Sequence, residues 1–115
     1  MSTPNSRRYA RYVAIILTVV LGNPLTAQAD FMTGQQLLEK MKATSTVEDR
    51  IEATYLVGRI LFDWEGKSHC KPPKATVGQA KAITQNFLTE NPQLLHNEAH
   101  HLIGAALGIA WPCEN

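Results

Sequence analysis

From residue 33 onward, apolar positions recur at steps of three and four rather than at every second residue. That spacing belongs to helices that bury one face, and no alternating strand pattern occurs after residue 30. Four helical segments follow. Thr33-Gly-Gln-Gln36 has the form of a capping box ahead of LLEKMKA, Ser45-Thr-Val-Glu48 of another ahead of DRIEATYLVGRILFDW, and Thr76-Val-Gly-Gln79 of a third ahead of AKAITQNFLTE. In this pattern the Ser or Thr hydroxyl accepts from the backbone N–H three residues on, and the Glu or Gln side chain reaches back. Asn91-Pro92 stops the third helix, because the residue before proline is driven out of the helical region. The fourth runs from about Asn97 to Ala110, with Pro112 beyond its end.

Two of these segments carry strong apolar faces. In the second, Ile51, Tyr55, Gly58 and Phe62 fall on one line, widened by Leu56, Ile60 and Leu61. So broad an apolar surface predicts a central helix, and Gly58, which costs about 1 kcal/mol of helix propensity, predicts close approach of a neighbour. In the fourth, Ala99, Leu102, Ile103, Ala106, Leu107 and Ala110 form the core stripe. The expected fold class is all-α, a compact four-helix domain.

The first residues follow another pattern. Arg7, Arg8 and Arg11 precede the ten-residue apolar run VAIILTVVLG, and Ala27-Gln28-Ala29 closes the segment. This is the order of a secretory signal peptide, too short to span a bilayer, which needs ~20 apolar residues. Residues 1–29 are therefore expected to be cleaved, leaving residues 30–115 as one small domain in the periplasm. Three of the eleven basic residues lie in this segment, so the mature chain carries eight against ten acidic ones, a net of −2. No clustered basic face of the kind nucleic acid requires is present.

Both cysteines, Cys70 and Cys113, lie in the mature part. An even cysteine count in an exported chain points to a disulfide, and two cysteines allow one pairing. Cys70 sits in EGKSHCKPPKA, whose glycine, serine and two prolines mark a loop.

The densest chemistry is HNEAHH, residues 96 to 101. At 100° per residue, His96 and His100 fall on one edge of the core stripe, His101 points almost opposite, and Glu98 lies about 160° from His96. The zinc-protease pattern H-E-x-x-H puts the glutamate directly after the first histidine. Here the order is H-x-E-x-H, and a third protein ligand is missing. The reading is edge histidines plus an exposed Glu98–His101 pair, with no catalytic residue, no metal ligand set and no cofactor. There is no Gly-rich phosphate loop and no G-x-S-x-G elbow.

The stretch from Cys70 to Cys113 resembles the Rap/Tai immunity proteins. Its elements are Cys70, the turn at Pro72, Thr76 and Gln79 opening a helix, Phe87, Leu88 and Pro92, then an Ala/Leu-rich helix closing in Pro112-Cys113. Gly34, Leu37 and Leu38 match the family's opening, and Tyr55 and Gly58 its aromatic-x-x-Gly element. The resemblance implies a small exported helical protein without cofactor. Such a protein binds, in the periplasm, a type VI secretion effector that hydrolyses peptidoglycan amide bonds, and several family members are homodimers. Many members carry two further cysteines near the positions of Met41 and Glu52, so this chain keeps one of two bridges.

The contact surface expected for a protein partner is the loop from Trp64 to Ala75. It offers an aromatic, Lys67, Lys71, Lys74 and His69, and its anchoring at Cys70 keeps the entropy cost of binding low. The alternative is a periplasmic chaperone or envelope-stress protein without an amidase partner, with the four histidines as a pH trigger.

Overall fold

The computed structural model describes residues 31–114. The expected signal peptide, residues 1–29, lies outside the described residues. Among the described residues four α-helices run in order: α1 (Gly34–Met41), α2 (Val47–Asp63), α3 (Val77–Glu90) and α4 (Ala99–Ala110), with a short 3₁₀ turn at Pro92–Leu94. Each helix packs on the other three. The shared core is built from Leu37, Met41, Ala53, Val57, Leu61, Ala80, Leu88, Ile103 and Leu107 among others. Among the described residues no helix is long and apolar enough to cross a membrane.

The capping boxes form at α1 and α3. Thr33 Oγ1 accepts from Gln36 N–H at 3.2 Å while Gln36 Oε1 accepts from Thr33 N–H at 2.9 Å. Thr76 and Gln79 repeat the exchange at 3.1 and 2.9 Å. At α2 the cap is one residue later than expected. Thr46 Oγ1 accepts from Asp49 N–H at 3.1 Å, and the Ser45 hydroxyl instead donates to the carbonyls of Lys40 and Lys42 at the end of α1. The Ser45 side chain is turned toward the end of α1, and the adjacent threonine caps α2.

The fourth helix starts at Ala99, with Glu98 as an extended N-cap that makes no side-chain cap bond. Its first amide is satisfied from a distance, Ala99 N–H donating to Met32 O at 2.7 Å. Gly34 N–H and Gln35 N–H in turn donate to Asn97 O and Leu95 O. The starts of α1 and α4 therefore satisfy each other's orphan backbone groups.

The junction of α1 and α2 is ionic. Lys40 Nζ lies 3.0 Å from Asp49 Oδ1 and 3.1 Å from Glu52 Oε2. Bonding to these carboxylates raises the Lys40 pKa above its usual value, and the bond from Lys40 lowers that of Asp49.

The central-helix expectation for α2 is half right. Its buried residues are Ala53, Val57, Ile60 and Leu61, while Ile51, Tyr55 and Phe62 are 63%, 66% and 59% exposed. On a helix the centres of the two sets stand about 155° apart. The helix is apolar on two opposite faces, and the core takes the one with smaller side chains. Gly58 does not mark a close approach either: a Cβ there would sit 3.8 Å from the Val77 methyls, an ordinary contact. In α4 the expected stripe is buried from Ala99 to Leu107, and Ala110 is exposed beyond it.

Thr84 on α3 is fully buried, and its hydroxyl has no hydrogen-bond partner among the described residues. An unmet buried hydroxyl costs about 1–3 kcal/mol. Thr84→Val keeps the shape and removes the polar atom, so it is expected to stabilise the domain by about 1 kcal/mol. That corresponds to a rise of about 4–8 °C in Tm for a domain of this size. Calorimetry that finds a lower Tm would show that the hydroxyl is in use.

Candidate partner surface and histidine cluster

The loop after α2 is ordered by bonds at nearly every residue. Lys67 N–H and Ser68 N–H donate to Trp64 O at 2.9 and 3.1 Å, and Gly66 N–H donates to His69 O at 2.7 Å. Gly66 has φ +81°, a left-handed turn suited to glycine. Lys71 N–H donates to the Glu65 carboxylate at 3.0 Å. The far end is tied to the chain terminus: Cys70 N–H donates to Trp111 O at 2.8 Å. Cys70 and Cys113 are disulfide-bonded, with Cα atoms 4.8 Å apart.

His69 does not belong to the surface on which the sequence places it. It is 0% exposed. Its Nε2 lies 2.9 Å from Leu61 O and its Nδ1 2.7 Å from Ser68 Oγ. A carbonyl can only accept, so Nε2 donates to Leu61 O, and in the neutral ring Nδ1 then accepts from the Ser68 hydroxyl. The ring is an internal post that fixes the loop to the end of α2. Two glycines on α4 let the loop lie close. A Cβ on Gly104 would stand 3.1 Å from the Trp64 ring, and one on Gly108 only 2.5 Å from Ser68 O.

Of the other four loop residues in the expected surface, Lys67 and Lys74 are exposed, Lys71 is half-buried, and Trp64 is half-buried against α4. Lys71 Nζ lies 5.7 Å from the centre of the Phe62 ring, within cation–π range. This contact joins the loop to the outer face of α2. That face carries Val47, Ile51, Tyr55 and Phe62, all more than half exposed, beside a shallow groove of about 480 Å³ lined by Val47, Arg50, Ile51, Thr54 and Tyr55. Scattered exposed apolar residues need no explanation, whereas four large ones on one helix face form a contiguous apolar stripe. The sequence pattern places Ile51, Tyr55 and Phe62 on the expected core line of α2, so their exposure is not legible from it.

At the other end of Trp64 the histidines separate. His96 is exposed and precedes α4, so it shares no helical face with His100. Glu98 Oε2 lies 3.0 Å from His100 Nε2 and 3.6 Å from His101 Nδ1. The two imidazole rings are 4.2 Å apart. The Trp64 ring stands edge-on to His100 at 5.8 Å and tilted to His101 at 6.2 Å. The Glu98–His101 pairing agrees with the sequence reading; the inclusion of His100 does not. An extended N-cap residue is not bound to the 100° rotation, and its side chain swings across the first turn.

A family model described as Rap1a immunity proteins matches residues 33–113. None of the curated proteins and none of the solved structures compared with the chain matches it.

Proposed function

Because the chain belongs to the Rap1a immunity protein family, we propose that it is a non-enzymatic binding protein that neutralises a type VI secretion effector, a peptidoglycan amidase, in the periplasm. The observation that supports this best is the outer face of α2. Val47, Ile51, Tyr55 and Phe62 present an apolar stripe that runs into the lysine-bearing loop through the Phe62–Lys71 contact. A rigid apolar centre flanked by charge suits a blocking protein. The aromatics supply anchor area, and Lys67, Lys71 and Lys74 steer encounter with an acidic rim. The periplasmic assignment rests on the signal-like first 29 residues.

The test is calorimetry against a peptidoglycan amidase encoded beside the gene. Ile51→Asp and Tyr55→Asp each place a charge on an exposed position, so the fold is retained while affinity falls at least tenfold, about 1.4 kcal/mol. Lys67→Glu with Lys74→Glu slows association and reduces its salt dependence. If both stripe variants bind as tightly as wild type, α2 is not the contact. If wild type binds no such amidase, the chaperone reading gains. Light scattering separates a third use of the stripe, a homodimer that Ile51→Asp would split.

A further inference from the structure

We propose that Glu98, His100 and His101 form a half-open site for a borderline divalent cation of the zinc class. Their ligand atoms all lie within 4.8 Å of one another. A tetrahedral ion with bonds of about 2.0–2.1 Å holds its ligands about 3.3 Å apart. The two Glu98–histidine separations, 3.0 and 3.6 Å, bracket that value. The widest pair, the two histidine nitrogens, lies within 4.8 Å, so the imidazole rings must turn toward each other for all three donors to share one ion.

The donor set chooses the cation. Two imidazole nitrogens and one carboxylate oxygen suit Zn²⁺, Cu²⁺ or Ni²⁺, whereas Ca²⁺ and Mg²⁺ prefer all-oxygen shells. The surroundings fit a site that is held but not sealed. Glu98 makes no cap bond, so its carboxylate has no competing backbone task. Trp64 walls one side and is itself packed at Gly104. Glu98 and His100 are half-buried while His101 is exposed, which leaves a fourth position for water or a donor from another molecule. The site lies at the first turn of α4, where the helix dipole opposes a cation. The Glu98 charge offsets it, and an open site with three protein donors is expected to bind weakly.

This does not restore the zinc-protease pattern. That comparison concerned His96 and His100, and the structure sets His96 aside. The proposal is also independent of effector binding.

The experiment uses untagged, oxidised mature protein titrated with zinc by calorimetry. One-to-one micromolar binding is expected, weakened at least about tenfold by His101→Ala and by Glu98→Gln and unchanged in His96→Ala. His101 is exposed, so its removal leaves the fold intact, and circular dichroism checks this. A second readout uses Cu²⁺, which quenches tryptophan emission at short range. In a Trp111→Phe background, Trp64 emission should fall on addition of one equivalent and should not fall in the His101→Ala variant. No zinc binding up to millimolar concentration, binding retained in both His101→Ala and Glu98→Gln, or binding lost in His96→Ala would each overturn the site and leave an ion-pair cluster.

Discussion

Replacing Cys70 and Cys113 together by serine is expected to remove about 3–4 kcal/mol of stability, the chain-entropy value for a closed loop of this length. Here the bond does more than shorten the unfolded chain. It fixes the loop from Trp64 onward to the segment after α4, beside the Cys70–Trp111 backbone bond. Domains of this size hold only about 5–10 kcal/mol in total, so the loss is a large share. The Tm should drop by more than 12 °C at about 4–8 °C per kcal/mol. Denaturant unfolding of oxidised, reduced and double-serine protein measures it. A difference under about 1 kcal/mol would mean that the hydrogen-bonded loop holds without the bond.

Gly108→Val is the second large effect. A Cβ at this position meets the backbone carbonyl of Ser68 at 2.5 Å, and backbone cannot rotate aside as a side-chain tip can. Ser68 is fixed on one side by the hydrogen bond from its N–H to Trp64 O and on the other by His69, whose Nε2 bonds Leu61 O. Overpacking of this kind costs about 1–3 kcal/mol, and the upper end is expected because two anchors must move. Gly78→Ala is the matched control. It lies on the exposed start of α3, and the nearest atom to its added Cβ is Thr76 Oγ1 at 3.7 Å. There the gain of helix propensity, at most about 1 kcal/mol, acts alone. Parallel thermal melts should move in opposite directions. A Gly108→Val protein as stable as wild type would show the loop to be free to shift.

Much of this fold is legible in the residues, and the failures have local causes. The caps of α1 and α3 form because each threonine and glutamine has no other task. The cap of α2 moves because Ser45 is drawn to the end of α1. The face of α2 cannot be chosen from periodicity, since Ala53, Val57, Ile60 and Leu61 repeat at helical spacing as well as Ile51, Tyr55 and Phe62 do. Large side chains gave the wrong guide, because α2 contacts all three neighbours and the smaller set permits the closer approach. His69 could not be placed by inspection, as a loop histidine next to a cysteine reads as surface. The spacing Gly104-x-x-x-Gly108 was the available signal that something lies against α4.

At positions 41 and 52, where the resemblance implies a second bridge in other members, Met41 is buried in the core and Glu52 pairs with Lys40. Exposed ion pairs are worth about 0.2–1 kcal/mol each, less than a disulfide's 2–4. The α1–α2 junction thus relies on Met41 packing and on Ser45 as much as on charge.

The exchange of backbone bonds between the starts of α1 and α4 bears on how the chain folds. Helical domains whose contacts are local in sequence fold fastest. Here residue 32 must find residue 99 before the start of α4 is satisfied, and residue 70 must find residue 113 before the disulfide can close. Ring closure over such spans is costly until the core forms around it. The first helix is therefore no fraying end piece. It is fastened to the last, so undocking α1 also leaves the Ala99 amide at the start of α4 without its partner.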